Sequence, residues 1–265
     1  MTTPDNRKQA MRYLTTLLLA GLLAVPVVAR AQDDDPYAGK PRWFQFEVLL
    51  FRNLSGAAQQ EESWLTAIDL RMAQPSYRLP EIGNGTATFQ IWEPPAPLRG
   101  PRYKTPPASM LQYRGVSAQD LQMQALRNKL QSRGNYKVVD YRAWRQQLAG
   151  DGTPIYFHIE AGETNGNFPE IEGYIGFYLK RYLHVDTELW WGDYTSYAPV
   201  ADAPPEELSA TPSEALERAD SYDYRAVARA GHLQEQRRMR SNEVHYFDHP
   251  LFGMLVRISP WQVTP

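Results

Sequence analysis

Between Ile171 and Trp191 the chain alternates apolar and polar residues with a period of two. Ile171, Ile175, Phe177, Leu179, Leu183, Val185, Leu189 and Trp191 hold odd positions, with Glu172, Lys180, His184, Asp186 and Glu188 among the even ones. Extended backbone puts every second residue on one face, so this stretch commits the fold to sheet with one buried side. A single strand of this length would run about 70 Å, longer than a domain of this size is across. The spacing therefore predicts a hairpin about Lys180-Arg181-Tyr182. Its odd-numbered loop pairs Phe177 with Val185 and Ile175 with Thr187 and keeps the apolar residues on one face. No Gly or Asn offers the left-handed position such loops prefer, which leaves one long bent strand as the alternative.

The rest of the chain is read against that hairpin. Arg42 to Phe51 places Phe44, Phe46, Val48 and Leu50 on one face and Leu49 and Phe51 on the other, a strand buried on both sides at its end. Tyr136 to Tyr141, Ile155 to Glu160 and a final strand through Phe252, Met254, Val256 and Ile258 follow the same period. Phe89 to Trp92 reads as a brief strand and Glu61 to Ile68 as a short helix. Ser117 to Arg133 reads as the main helix: Ser117 and Asp120 resemble a capping box, Met123, Leu126 and Leu130 form a stripe, and Gly134 closes it. Residues 94–107 are too rich in proline for regular structure, and 198–213 read as a flexible excursion with a helical turn at 211–218. The expected class is α+β, an antiparallel sheet of hairpins with one main helix over 117–133 and Pro-rich loops.

The N-terminus reads as an address rather than as structure. Arg7, Lys8 and Arg12 precede an apolar run from Leu14 to Val28, and Ala29-Arg30-Ala31 supplies small residues where a signal peptidase cuts. The expectation is a signal peptide over 1–31 cleaved after Ala31, a disordered leader over 32–41, and one domain over 42–265. That implies export to the periplasm, with nothing embedded in the membrane after cleavage. An uncleaved N-terminal anchor is the alternative. The chain has no cysteine, so thiol nucleophiles, disulfides and Cys-based zinc sites are excluded. Removing residues 1–31 leaves 24 Lys and Arg against 29 Asp and Glu, a formal charge of −5, which disfavours a polyanion ligand overall.

The densest chemistry lies in RRMRSNEVHYFDHPLFG, Arg237 to Gly253. Arg237, Arg238 and Arg240 are too few for a nucleic-acid footprint, and an exported chain meets little nucleic acid. His245, Asp248 and His249 invite a metal reading, but Pro250 removes His249 from helical geometry, and on a strand the two histidines sit about 13 Å apart. A hairpin turning at Ser241-Asn242 fits better, with Arg240 facing Glu243, Met239 facing Val244, Arg238 facing His245 and Arg237 facing Tyr246. Asp186 and Glu188, with Glu172 across the hairpin, are the carboxylates a glycan hydrolase would need. No Ser-centred elbow or zincin helix accompanies them.

The blocks WFQFEVLLF, RYLHVDTELWW (Arg181 to Trp191) and RRMRSNEVHYFDHPLFGMLVRI (Arg237 to Ile258) resemble the CsiV family of periplasmic peptidoglycan-binding proteins. The likeness implies a non-catalytic wall-binding accessory without cofactor or metal, supporting synthesis by a class A penicillin-binding protein and its lipoprotein activator. It brings no catalytic residues. Arginine suits stem-peptide carboxylates and aromatic rings suit sugar faces. The candidate contacts are Arg181, Tyr182, His184, Arg237, Arg238, Arg240, His245, Asp248 and His249. A glycan or peptide hydrolase, and a protein-interaction module that never touches glycan, remain as alternatives.

Overall fold

Phe46 shows how the two halves of the core meet. It stacks on Trp144 at 5.3 Å and sets its edge against Phe177 at 4.9 Å, and Trp144 in turn lies 5.1 Å from Phe157. Phe46 and Trp144 belong to one sheet, Phe157 and Phe177 to another, and the inner faces of both share a single apolar cluster. The architecture is a sandwich of two sheets. The computed structural model describes residues 41–55, 64–70, 76–92, 111–165, 168–194 and 224–263, all within the unit Tyr37–Pro265. The expected signal peptide 1–31, all but the last residue of the leader 32–41, and the segments 94–107, 198–213 and 211–218 lie outside them.

In chain order the strands are β1 (Arg42–Asn53), β2 (Leu65–Asp69), β3 (Ser76–Arg78), β4 (Thr86–Thr88), β5 (Ile91–Trp92) and β6 (Gln112–Gly115). After helix α1 (Gln124–Ser132) come β7 (Tyr136–Leu148), β8 (Ile155–Asn165), β9 (Phe168–Leu179), β10 (Leu183–Asp193), β11 (Tyr224–Met239), β12 (Val244–Asp248) and β13 (Phe252–Pro260). One sheet has six strands in the order β12-β13-β1-β7-β6-β4 and the other seven in the order β2-β11-β10-β9-β8-β3-β5. Strand accounts for 65% of the described residues and helix for 8%, which overturns the expected α+β class: the fold is mainly β.

The helical expectation fails for a local reason. Residues 117–133 are not one helix but a 3-10 turn at Ala118–Asp120 and, after a break, the nine residues of α1. Ser117 makes no side-chain cap. The capping acceptor comes instead from β1, where the buried Glu47 carboxylate receives the N–H groups of Gln122 at 2.8 Å and Met123 at 2.9 Å, together with Gln45 Nε2 and the Tyr141 hydroxyl. The expected stripe is real: Met123, Leu126 and Leu130 pack on Leu49 and Phe51, the outer face of β1. Gly134 ends the element with φ +69°. The short helix expected over 61–68 is a strand where it is described, β2.

The hairpin of residues 171–191 forms with the expected register, Phe177 opposite Val185 and Ile175 opposite Thr187. The turn at Ser241-Asn242 also exists, and Asn242 takes φ +67°. Its flanking strands, however, do not pair with each other. β11 pairs with β10, placing Met239 opposite Leu183 and Arg237 opposite Val185, while β12 pairs with β13 in the other sheet. The turn is a corner between sheets, pinned by the Asn242 N–H on the Ile258 carbonyl at 2.9 Å. Of the expected facing pairs, Arg240 and Glu243 still meet as an exposed ion pair at 3.7 Å.

Candidate functional site

Four separated segments end at the same edge of the sandwich. Pairing of β10 with β9 and β11 sets Leu183 beside both Leu179 and Met239, and pairing of β1 with β13 sets Phe44 opposite Pro260. The result is a cleft of about 620 Å³. Phe44, Leu179, Leu183 and Met239, all core residues, form its floor. Its walls carry Arg42, Trp43, Arg181, Tyr182, Arg240 and Trp261, and among the described residues no Asp or Glu lines it.

The aromatic walls are held in place and are crowded by cations. The Trp261 N–H donates to the Trp43 carbonyl at 3.0 Å, and the two indoles meet edge to face at 5.5 Å. The Arg114 guanidinium lies 5.4 Å from each of these ring centroids, and that of Arg145 lies 4.9 Å from Trp261. On the opposite wall Arg181 and Arg238 lie 5.7 and 4.6 Å from the exposed Tyr182 ring. Nearby histidines register the same field. Burial, then the charges of Lys180 and Arg238, pulls the His184 pKa below its ordinary value; burial, then Arg237, does the same to His245.

The nine expected contacts divide into four groups. Arg181, Tyr182 and Arg240 line the cleft. Arg238 and His184 face each other beside it on the outer side of the seven-stranded sheet, where His184 stacks on Tyr178 at 4.7 Å. Arg237 and His245 instead tie the corner together. Arg237 bonds Glu235, donates to the Tyr246 carbonyl at 2.8 Å and covers the Phe247 ring at 4.8 Å; His245 accepts the Arg240 backbone N–H at 3.2 Å. Asp248 receives the Tyr246 hydroxyl, and His249 packs on Trp64, Phe252 and Gly231. Gly231 lies eight residues along β11 from Met239, about 26 Å away by strand rise.

A family model described as "Peptidoglycan-binding protein, CsiV" matches residues 14–261. The chain belongs to the CsiV family. No curated protein and no solved structure matches it. The matched span takes in every cleft-lining residue except Gln262.

Within this CsiV chain, sequence reasoning missed Arg42, Trp43 and Trp261 as site residues. The signal was present: an arginine and aromatics flank the first and last strands, where neither core demands them. Two further polar groups lie on the outer face of the seven-stranded sheet. Asp186 accepts the Tyr156 hydroxyl at 3.0 Å and Glu188 accepts the Tyr174 hydroxyl at 2.9 Å, so the carboxylates considered for hydrolysis are each held by a tyrosine. Burial raises the Asp186 pKa; at Glu188 burial acts the same way but is overcome by hydrogen bonds from His232 and Tyr174, and the pKa is lowered.

Glu172 is not part of that pair. Its carboxylate lies 3.3 Å from His158 Nε2. Among the described residues His158, Glu160 and Glu172 form the group with metal-ligand spacing, their ligand atoms all within 4.8 Å of one another. Trp92 stacks on the His158 ring at 3.6 Å, and Arg78 competes for Glu160 at 3.5 Å. His245 and His249 do not belong to that group. Among the described residues no helix is long and apolar enough to cross a membrane.

Proposed function

We propose that this CsiV-family chain is an exported, non-catalytic accessory of cell-wall synthesis that binds peptidoglycan through the cleft between Trp43, Tyr182 and Trp261. The observation that carries the reading is the lining: among the described residues, three arginines and three aromatic residues stand over an apolar floor with no carboxylate beside them. Peptidoglycan offers sugar rings and stem-peptide carboxylates, and a guanidinium matches a carboxylate with two parallel hydrogen bonds. Family membership supports peptidoglycan as the ligand and an envelope location. Action in the periplasm, beside a class A penicillin-binding protein and its lipoprotein activator, is the partner assignment that goes with the family likeness. The test is co-sedimentation of the mature chain, from Gln32, with purified sacculi, followed by assay of the supernatant for released muropeptides. Protein in the pellet with no muropeptide release is the expected result. A protein that stays in the supernatant removes wall binding, and muropeptide release would instead favour the hydrolase reading with Asp186 and Glu188.

A further inference from the structure

We infer that Arg114, held between Trp43 and Trp261 on the outer face of the six-stranded sheet, binds a stem-peptide carboxylate of the wall. This rests on the chain binding peptidoglycan, and it adds a contact outside the cleft.

Pairing of β6 with β7 sets two arginines directly opposite one another, Arg114 and Arg145. Both guanidiniums crowd one ring. They lie 5.4 and 4.9 Å from the Trp261 centroid, and Arg114 lies 5.4 Å from that of Trp43 as well. Like charges facing each other across strands are destabilising, and the chain supplies a single anion against the two. Asp120 accepts from Arg145 Nη2 at 3.1 Å, and the Gln45 side-chain oxygen accepts from Arg145 Nε at 2.9 Å, so Arg145 is both neutralised and fixed.

Arg114 has no such arrangement. Among the described residues its guanidinium meets the two indoles and no carboxylate. Thr86, opposite it on the other flank of β6, is uncharged and exposed, as is Gln112 two residues before it. Packing accounts for the contacts with the rings. It does not account for a second cation where only one is neutralised. The result is a half-buried positive charge in surplus, on a base of two indoles locked edge to face. A planar guanidinium held this way matches a carboxylate with two parallel hydrogen bonds. Asp120 shows that a carboxylate is at home here: the hydrogen bond from Arg145 is the largest of the influences that pull its pKa below the ordinary value.

Position ties this charge to the wall. Trp43 and Trp261 also line the cleft, whereas Arg114 and Arg145 do not. The indoles are shared between the two places, and a stem peptide leaving the cleft over them meets Arg114 next.

The experiment pairs a change in the protein with a change in the ligand. The mature chain, Arg114→Ala and Arg114→Lys are each sedimented with intact sacculi and with sacculi whose carboxyl groups have been converted to neutral amides by carbodiimide and ammonium. Arg114→Ala should bind intact sacculi about tenfold more weakly than the parent, the worth of one charge-assisted contact. Whatever amidation costs the parent, it should cost Arg114→Ala about tenfold less, because the contact is already gone. Arg114→Lys, which keeps the charge and loses the paired N–H groups, should fall between the two. Arg133→Ala removes an equal charge at the exposed end of α1 and should behave as the parent does. A variant that is merely destabilised loses binding to both preparations alike and leaves the ratio between them unchanged. An unchanged ratio for Arg114→Ala therefore overturns the carboxylate assignment, leaves wall binding standing, and is the result expected if Arg114 meets an acidic protein surface instead. Failure of the parent to bind intact sacculi overturns wall binding and this inference with it.

Discussion

Arg237, Arg181 and Arg240 lie close in the fold, and alanine at each should read out differently. Arg237 donates to the Tyr246 carbonyl at 2.8 Å and covers Phe247, a fully buried ring of the other sheet, at 4.8 Å. A hydrogen bond from a charged donor contributes about 1.5–3 kcal/mol when sheltered, nearer ~1 for a side chain that is 37% exposed. The ring contact adds about 0.5–1 kcal/mol. Arg237→Ala should thus cost roughly 2 kcal/mol, or about 4–8 °C in Tm for a domain of this size. Arg240 is 75% exposed and its ion pair is long, so Arg240→Ala should cost within about 0.5 kcal/mol of nothing. Arg181, on the hairpin tip, is also exposed, and its loss should be as mild. Sacculus binding should show the reverse order. Losing one charge-assisted contact of about 1.4 kcal/mol weakens binding about tenfold at Arg181 or Arg240, and Arg237→Ala, once folded, should bind as the parent does. Differential scanning fluorimetry and sacculus pull-down on the same preparations give both numbers. Tenfold weaker binding by Arg237→Ala at an unchanged Tm would refute the division of the arginines between cleft and corner.

Three further perturbations test the frame behind the cleft. Glu47→Ala strands the Gln122 and Met123 N–H groups, at about 1–3 kcal/mol each, so urea unfolding should show a loss of roughly 3–5 kcal/mol and a circular dichroism change at α1; a loss below about 1 kcal/mol would contradict the capping role. Gly173→Ala would put a Cβ 2.1 Å from the Glu188 carbonyl oxygen and 2.9 Å from Leu189 Cα, both backbone atoms of β10, so the variant should melt several degrees lower or fail to fold, and a Tm within about 1 °C of the parent would show that β9 and β10 are not so closely opposed. His184, His245 and His249 all have lowered pKa values, burial first in each case. The unfolded chain then takes up protons near pH ~6.5 before the folded chain does, so this contribution to stability is complete above that value and lost as pH falls below it. The urea midpoint should drop between pH 7.5 and 5.5, a slope that His249→Asn should flatten; Asp140 and Asp186, whose pKa values burial raises, act in the opposite sense at lower pH. A flat profile would contradict the histidine assignment.

The parts of the fold that were legible are those fixed by local alternation. Residues 171–191 gave both the hairpin and its register because a one-residue shift would have turned Phe177 or Val185 to solvent. The same logic placed Leu49 and Phe51 on a second buried face, although what covers it, α1, was drawn too long. Ser117 with Asp120 carries a real helix-start pattern, but the acceptor that starts α1 is Glu47, more than seventy residues earlier in the chain, and no window along the sequence contains both. Among the described residues one short helix stands against thirteen strands, and the class shifts from α+β to mainly β.

The site was half legible, and the geometry of a strand explains which half. Arg237 and Arg238 are adjacent in sequence and look like one basic patch. On β11 they point to opposite sides, Arg238 outward opposite His184 and Arg237 inward opposite Val185, so a run of cations divides between a surface and a corner. The corner misled for a related reason. The attraction between Arg240 and Glu243 and the left-handed Asn242 are satisfied whether the chain folds back on its own strand or crosses to the other sheet, so neither feature separates the two. What separates them is β13, which is the better partner for β12: its Met254, Val256 and Ile258 already face the core from β1's side, and pairing β12 there buries Phe247 on the same face. That choice swings Arg240 to the end of the sandwich, beside Trp43 and Trp261 from the first and last strands. The cleft is thus a product of topology, four segments brought together by sheet order, and its cationic character is set by which side of each strand an arginine happens to occupy.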